Sequence, residues 1–214
     1  MDVIVHPPKF IRRFFKKYTW KLPEDNGNKV MFITIDDGPI PELTPGTLDL
    51  LKEYNAKATF FCVGENVCRY PDLYKRILDE GHSVGNHTYN HLNGSRTKTR
   101  QYLRNVVLAD AYINSDLFRP PHGLLRRRQT LMLSKVRNII LWDILSKDYD
   151  RRVSPVRCWK NVLYNVTPGA IVVFHDNIKA KDNQRFALQH TLEHFSRIGY
   201  VFKGIPYSQK DNLK

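Results

Sequence analysis

Val30-Met31-Phe32-Ile33-Thr34-Ile35-Asp36-Asp37-Gly38-Pro39 is the stretch that decides how this chain reads. Its first six residues are apolar or β-branched and uncharged, the pattern of a buried strand. Two carboxylates follow at once, and Gly38-Pro39 then breaks the strand. Neighbours on a regular strand point to opposite faces, so Asp36 and Asp37 can serve one site only at such a break. Carboxylates held this close repel each other. A metal ion, or a division of labour between base and ligand, relieves that repulsion. On its own the tetrapeptide Asp36-Asp37-Gly38-Pro39 also suits an ordinary turn, so the rest of the chain has to decide.

Outward from this stretch, apolar runs alternate with amphipathic segments. Helices are predicted over 44–54, 71–80, 97–114, 127–136, 155–165 and 183–198. Strands are predicted over 57–64, 82–85, 117–119, 138–145, 170–174 and 200–202. Alternation of this kind predicts an α/β fold, a parallel sheet with helical crossovers. About seven repeats favour a distorted barrel of the triosephosphate-isomerase type over an open sheet. Polar residues gather just after strands, at Asp36-Asp37, His87 to His91, Arg119, Asp148 and His175. In such barrels the carboxyl ends of the strands form the catalytic face, so these places are expected to meet in one site.

At 214 residues the chain suits one domain with a full core. Residues 1–29 read as a basic, aromatic leader packed on the barrel, and 30–214 as the catalytic domain. No apolar run approaches the roughly 18 residues of a transmembrane helix. The N-terminus lacks a basic region followed by an apolar core, so no secretory signal is read there. Cys62, Cys68 and Cys158 form no paired framework and read as free thiols of a reducing compartment. A cytoplasmic location, or one peripheral to the inner face of the membrane, is therefore expected; an extracytoplasmic one would follow had a signal been trimmed. The net charge of +13, from 34 Lys and Arg against 21 Asp and Glu, favours anionic partners. No helix-turn-helix, zinc-finger or RNP-like signature accompanies it, so nucleic acid is not expected. Residues 9–21 mix aromatic and basic side chains, which suits either packing on the barrel or peripheral contact with an anionic membrane. Nothing in the sequence fixes the oligomeric state.

Three further segments carry chemistry. In Gly85-Asn86-His87-Thr88-Tyr89-Asn90-His91, two imidazoles four apart face one way if the segment is helical, and Asp37 could complete a two-His, one-carboxylate metal set. Phe118-Arg119-Pro120-Pro121-His122-Gly123 places a cation at a strand end, able to pair with a site carboxylate. There Gly123 permits close backbone approach, and the His122 N–H could face a developing oxyanion. Ile171-Val172-Val173-Phe174-His175 ends a buried strand in a candidate general acid, with Asp148 a candidate to raise its pKa. His82, His190 and His194 read as structural.

The ordered set Thr34-Ile35-Asp36-Asp37-Gly38-Pro39, His87 to His91, Arg119 to Gly123, Trp142 through Asp148-Tyr149, and Val173-Phe174-His175 resembles the polysaccharide deacetylase family, carbohydrate esterase family 4. The resemblance spans about residues 30 to 203. It implies a (β/α)7 barrel and metal-dependent hydrolysis of the N-acetyl group of an acetylated amino sugar, usually with zinc and with cobalt or nickel as substitutes. It implies Asp36 as base; Asp37, His87 and His91 as metal ligands; and Arg119 as the partner of the base. His175 becomes the general acid tuned by Asp148. Pro121, His122, Gly123, Trp142, Tyr149 and Val173 would bind substrate, an N-acetylated glycan. Three positions depart from the family pattern, one of them His122, which replaces the more usual tyrosine while its backbone N–H keeps the oxyanion role. Leu145 stands where an Asp is common, and Tyr149 replaces a Trp, which bears on the pocket's shape more than on its chemistry. Hydrolysis of another non-peptide amide, and a non-catalytic module for an anionic polymer, are the alternatives.

Overall fold

The computed structural model describes residues 5–23 and 27–209. Met1 to Ile4 of the N-terminal reading, part of the 1–29 leader and the last five residues of the 30–214 unit lie outside them. The chain opens with helix α1 (Lys9–Phe14) and strand β1 (Tyr18–Thr19), followed by β2 (Val30–Asp36), α2 (Thr44–Glu53), β3 (Ala58–Cys62), α3 (Gly64–Arg69) and α4 (Pro71–Asp79). Next come β4 (Ser83–Asn86), α5 (Thr99–Ala109), β5 (Leu117–Phe118), a 3-10 turn (Pro121–Gly123), α6 (Arg127–Leu133) and β6 (Asn138–Ile140). The last elements are β7 (Ile144–Leu145), α7 (Pro155–Leu163), β8 (Ala170–His175), α8 (Lys181–Arg197) and β9 (Val201–Phe202).

The strands form one parallel sheet in the order β1-β6-β5-β4-β3-β2-β8-β7, with β9 beside β2. The sheet curls into the distorted barrel expected of the alternating pattern. Its two-residue periodicity divides the core. Met31, Ile33 and Ile35 face the helices together with Phe60, Val172 and Phe174. Val30 and Phe32 face the interior with Phe61, Ile140 and Ile171. Continuing that alternation along β2 and β8 brings Asp36, Val173 and His175 to the mouth.

Four expectations need correction. The strand predicted over 138–145 is two strands, β6 and β7. Leu141 N–H donates to Thr19 of β1, whereas Asp143 N–H donates to Ile171 of β8, so the chain crosses here between opposite ends of the curled sheet. No single straight strand can do that. The helix predicted over 97–114 spans only Thr99–Ala109; beyond it the backbone tightens into three-residue turns, with Asp110, Ala111 and Tyr112 N–H donating to Val107, Leu108 and Ala109. Helix α3 was not foreseen; Gly64 N–H and Glu65 N–H, at its first turn, donate to Thr88 and Tyr89 of the histidine segment, tertiary bonds with no local signal. The His87–His91 segment is not helical, as described below.

Asp176, just after β8, is fully buried and fastens the mouth from behind. It accepts from Thr44 Oγ1 (2.7 Å), Thr47 Oγ1 (3.0 Å) and Gln184 Nε2 (3.4 Å), which locks α2 and α8 onto β8. Burial pushes its carboxyl pKa up to about 7, and the Thr44 and Thr47 hydroxyls only partly oppose this. A folded pKa above that of the unfolded chain (about 3.9) means that proton uptake favours folding. The contribution is complete below about pH 4 and is lost as pH rises through about 7. Denaturant unfolding followed from about pH 4 to 7 is expected to show declining stability for the native chain and a shallower decline for Asp176→Asn.

Candidate active site

The mouth of the barrel is a cavity of about 350 Å³ lined by Asp36, Asp37, His87, His91, Pro120, His122, Gly123, Trp142, Leu145, Tyr149, Val173, His175, Asn177 and Lys179. The structure thus brings together nearly every residue singled out in the sequence. Arg119 and Asp148 stand behind the wall, each bonded to a residue that lines it. Pro121 does not reach the cavity. It begins the 3-10 turn and is buried beneath it, and Pro120 faces the space instead.

Asp36 ends β2 with its carboxylate inward. Arg119 Nη1 donates to Asp36 Oδ1 at 2.6 Å and to Thr34 Oγ1 at 2.7 Å. Arg119 Nη2 and Nε donate to Leu141 O (2.9 Å) and Ile140 O (3.3 Å), and the guanidinium lies 4.1 Å from the centre of the Phe61 ring. Burial lowers the Arg119 pKa and Asp36 opposes that shift; the group stays charged.

Asp37 would point away from Asp36 on a continuing strand. A left-handed backbone, φ 77°, turns it back into the same mouth. Asn66 Nδ2 holds its carbonyl at 2.8 Å, and Asn177 Nδ2 donates to its Oδ2 at 2.7 Å. Opposite stand His87 and His91, their ring centroids 5.1 Å apart. They converge through a bend with left-handed Thr88 (φ 65°) and His91 (φ 57°), not through a helical turn. Asn86 Oδ1 accepts from Thr88 N–H and Asn105 Oδ1 from Tyr89 N–H, which sets the bend.

This cluster fits the divalent cation expected of it. Asp37 Oδ1 is buried without a hydrogen-bond partner and lies 3.6 Å from His87 Nε2 and 3.1 Å from His91 Nε2. One donor atom from each of the three residues lies within 4.8 Å of the others. His87 Nδ1, 2.8 Å from the Arg119 carbonyl, can serve as the ring's N–H donor, which turns the Nε2 lone pair toward Asp37. Burial alone would raise the Asp37 pKa. His87, His91 and His175 override it and hold the carboxyl well below the usual range, the direction in which a cation would also act. Burial, and His91 and His87 beside it, lower the His122 pKa.

Beside Asp36 in the register of β2 and β8, His175 Nδ1 lies 2.7 Å from Asp148 Oδ1, and the His175 backbone N–H donates to Asp148 Oδ2 at 2.8 Å. Burial would lower the imidazole pKa. The Asp148 carboxylate overcomes this and raises it to about 9. Trp142 forms a wall by packing on Gly123 (φ 69°), where a Cβ would meet its ring at 2.5 Å. What approaches Gly123 so closely is therefore this indole. Sequence reasoning missed Asn177 and Asn66. Both follow motifs already quoted or stand alone in a helix, and only their contacts with Asp37 reveal them.

With this geometry in view, the comparisons decide the family. The polysaccharide deacetylase model matches residues 24–137. This chain belongs to the polysaccharide deacetylase family. It is a family of metal-dependent hydrolases acting on carbon–nitrogen bonds other than peptide bonds, and its members remove N-acetyl groups from acetylated amino sugars. A Bacillus cereus peptidoglycan-N-acetylglucosamine deacetylase is 34% identical over 167 residues, covering 75% of this chain and 60% of its own length. A second from the same species is 35% identical over 191 residues, covering 86% of this chain and 89% of its own. The solved structure of the Bc1960 peptidoglycan N-acetylglucosamine deacetylase, in complex with a naphthyl N-hydroxybenzamide, superposes with a TM-score of 0.85 at 28% identity, covering 96% of this chain and all of that one. Among the described residues no helix is long and apolar enough to cross a membrane.

Asn177→Ala removes the donor that fixes Asp37 Oδ2. Affinity for zinc, read by competition with a chromogenic chelator, is expected to fall about 10- to 100-fold while the fold is retained.

Proposed function

We propose that this chain hydrolyses the N-acetyl group of N-acetylglucosamine residues in a glycan, with peptidoglycan or its precursors as the substrate class. The observation that carries this reading is that adjacent strands β2 and β8 bring an arginine-held carboxylate and a carboxylate-held imidazole side by side into one cavity that a His-His-Asp cluster also lines. Two relatives named as peptidoglycan deacetylases support the substrate class.

Asp37, His87 and His91 would hold the ion. Two imidazoles and one carboxylate suit zinc, with cobalt or nickel as substitutes, and leave open positions for water and substrate. When bound, the ion supplies Lewis acidity, polarising an amide oxygen and lowering the pKa of a water from about 15.7 toward 7.

The chain's own residues do the rest. Asp36, fixed by Arg119, takes the proton of the water as its oxygen attacks the acetyl carbon. The His122 N–H, turned by φ 60°, is assigned to the developing oxyanion. His175, charged at neutral pH through Asp148, gives its proton to the departing nitrogen, because an amide anion is a very poor leaving group. The C–N bond breaks, and acetate and a free amine result. Leu145, Tyr149, Trp142 and Val173 give the acetyl methyl and the sugar ring apolar walls. An Asp at position 145 would put a second charge in that wall.

Acetate release from N-acetylglucosamine oligomers and from peptidoglycan, on metal-stripped protein with and without added zinc or cobalt, tests the reading. Metal-dependent acetate is expected. None from either substrate by metal-loaded protein would overturn it. Asp36→Asn is expected to lose at least about 10³-fold in turnover yet keep its metal, measured by elemental analysis.

The pH profile tests the acid separately. With the His175 pKa raised to about 9, turnover should hold through neutrality and fall as pH rises past that value. In Asp148→Asn, burial is opposed only by the smaller pull of Asp37 and Asp36, and the falling limb should move to lower pH.

A further inference from the structure

Away from the mouth, α1 and α6 together form a surface that the reaction does not use. Phe10, Phe14 and Phe15 are exposed, Phe14 to 83%, beside exposed Arg13, Lys16 and Lys17. On α6 and the turn after it, Leu131, Met132 and Val136 are exposed, Val136 to 68%, beside exposed Arg127, Arg128 and Lys135. The two segments touch. Lys17 Nζ donates to Ser134 Oγ at 3.3 Å, and Tyr18 OH lies 2.6 Å from Thr130 Oγ1. Neither 9–22 nor 117–142 contains an acidic residue, so every formal charge they carry is positive.

The leader is fastened rather than loose. Arg12 pairs with the buried Asp143, His6 Nδ1 lies 3.1 Å from the Asp143 carbonyl, and β1 adds a strand to β6. The phenyl rings are therefore held out from a fixed platform, which spares the ordering cost of a helix that forms only on binding.

We propose that this surface is a docking site for an anionic lipid bilayer, with the Phe rings and the α6 aliphatics entering the headgroup–acyl boundary and the six exposed cations meeting lipid phosphate. Charge selects this occupant. A second copy of a chain with net charge +13 would bring cations against cations. Nucleic acid would use stacking rings and phosphate contacts but would leave Leu131, Met132 and Val136 unpaired. The patch leads into the starts of β1 and β6, whereas the catalytic residues stand at strand ends. The proposal does not depend on the deacetylase reading.

Co-sedimentation of the full chain with vesicles of phosphatidylcholine alone, and of phosphatidylcholine with about 30% phosphatidylglycerol, is the test. Binding is expected only with the anionic vesicles, weakening at about 0.5 M salt, and falling at least about tenfold in Phe10→Ser/Phe14→Ser. Acetate release from soluble oligomers by that variant should equal that of the native chain. Five results would each overturn the proposal: no vesicle binding; equal binding to neutral vesicles; unchanged binding by the Phe variant; displacement by a single-stranded oligonucleotide; and native self-association that the Phe variant abolishes.

Discussion

A guanidinium without solvent contact, 2.6 Å from the Asp36 carboxylate, is the interaction on which the mouth depends. Removing either partner of such a pair strands a buried charge, at a cost of about 3–5 kcal/mol. Arg119 is affordable in the interior because its neighbours use its donors: Thr34 on β2, Ile140 on β6, Leu141 in the crossing to β7, and the face of Phe61. It is therefore also a brace. The carbonyl of the same residue lies against His87 Nδ1. One residue thus sets the orientation of the candidate base through its side chain and of a candidate metal ligand through its backbone.

Around this brace the backbone is bent where the chemistry needs it. Asp37, Thr88, His91 and His122 all take a left-handed φ without being glycine. Such conformations are costly and persist where surroundings over-determine them. Here Asn66 and Asn177 fix Asp37, Asn86 and Asn105 fix the histidine bend, and the proline pair fixes the approach to His122. Each bend turns toward the cavity a group that a regular strand or helix would aim elsewhere. The repulsion between Asp36 and Asp37 is met by giving each its own partners, Arg119 for one and the histidine cluster with Asn177 for the other.

This division explains what was legible. Buried strands announce themselves by unbroken apolar runs, so β2, β3 and β8 were readable, and with them the alternation that makes the barrel. The polar residues just after them were readable because strand ends converge in such a fold. The geometry joining them was not. His-x-x-x-His spacing suggests a helical pair, but the convergence comes from a bend whose support, Asn105, lies on a different helix. Pro121 and Pro120 cannot be ranked by sequence, since which one faces the space depends on the turn. The 138–145 run carries no break signal, because the break is imposed by closure of the sheet. Asp176 and Asn177 follow His175 in the chain, yet their partners on α2, α8 and the Asp37 turn are tertiary.

That closure also bears on where the catalytic unit begins. The crossing at Leu141 to Asp143 is the seam of the barrel, and it carries Trp142, a wall of the cavity. On its outer side the seam is held by the leader, through Arg12 on Asp143, Thr19 O on Leu141 N–H and Val5 O on Leu145 N–H. A buried carboxylate at the seam is expensive unless paired, so Asp143 ties the wall of the pocket to a segment more than a hundred residues earlier. A boundary drawn at residue 30 would separate the strand ends from the residues that hold their closure in place. The segment that carries the exposed phenylalanines is the same one that sets the position of Trp142, so what the leader touches and how the pocket is shaped are mechanically joined.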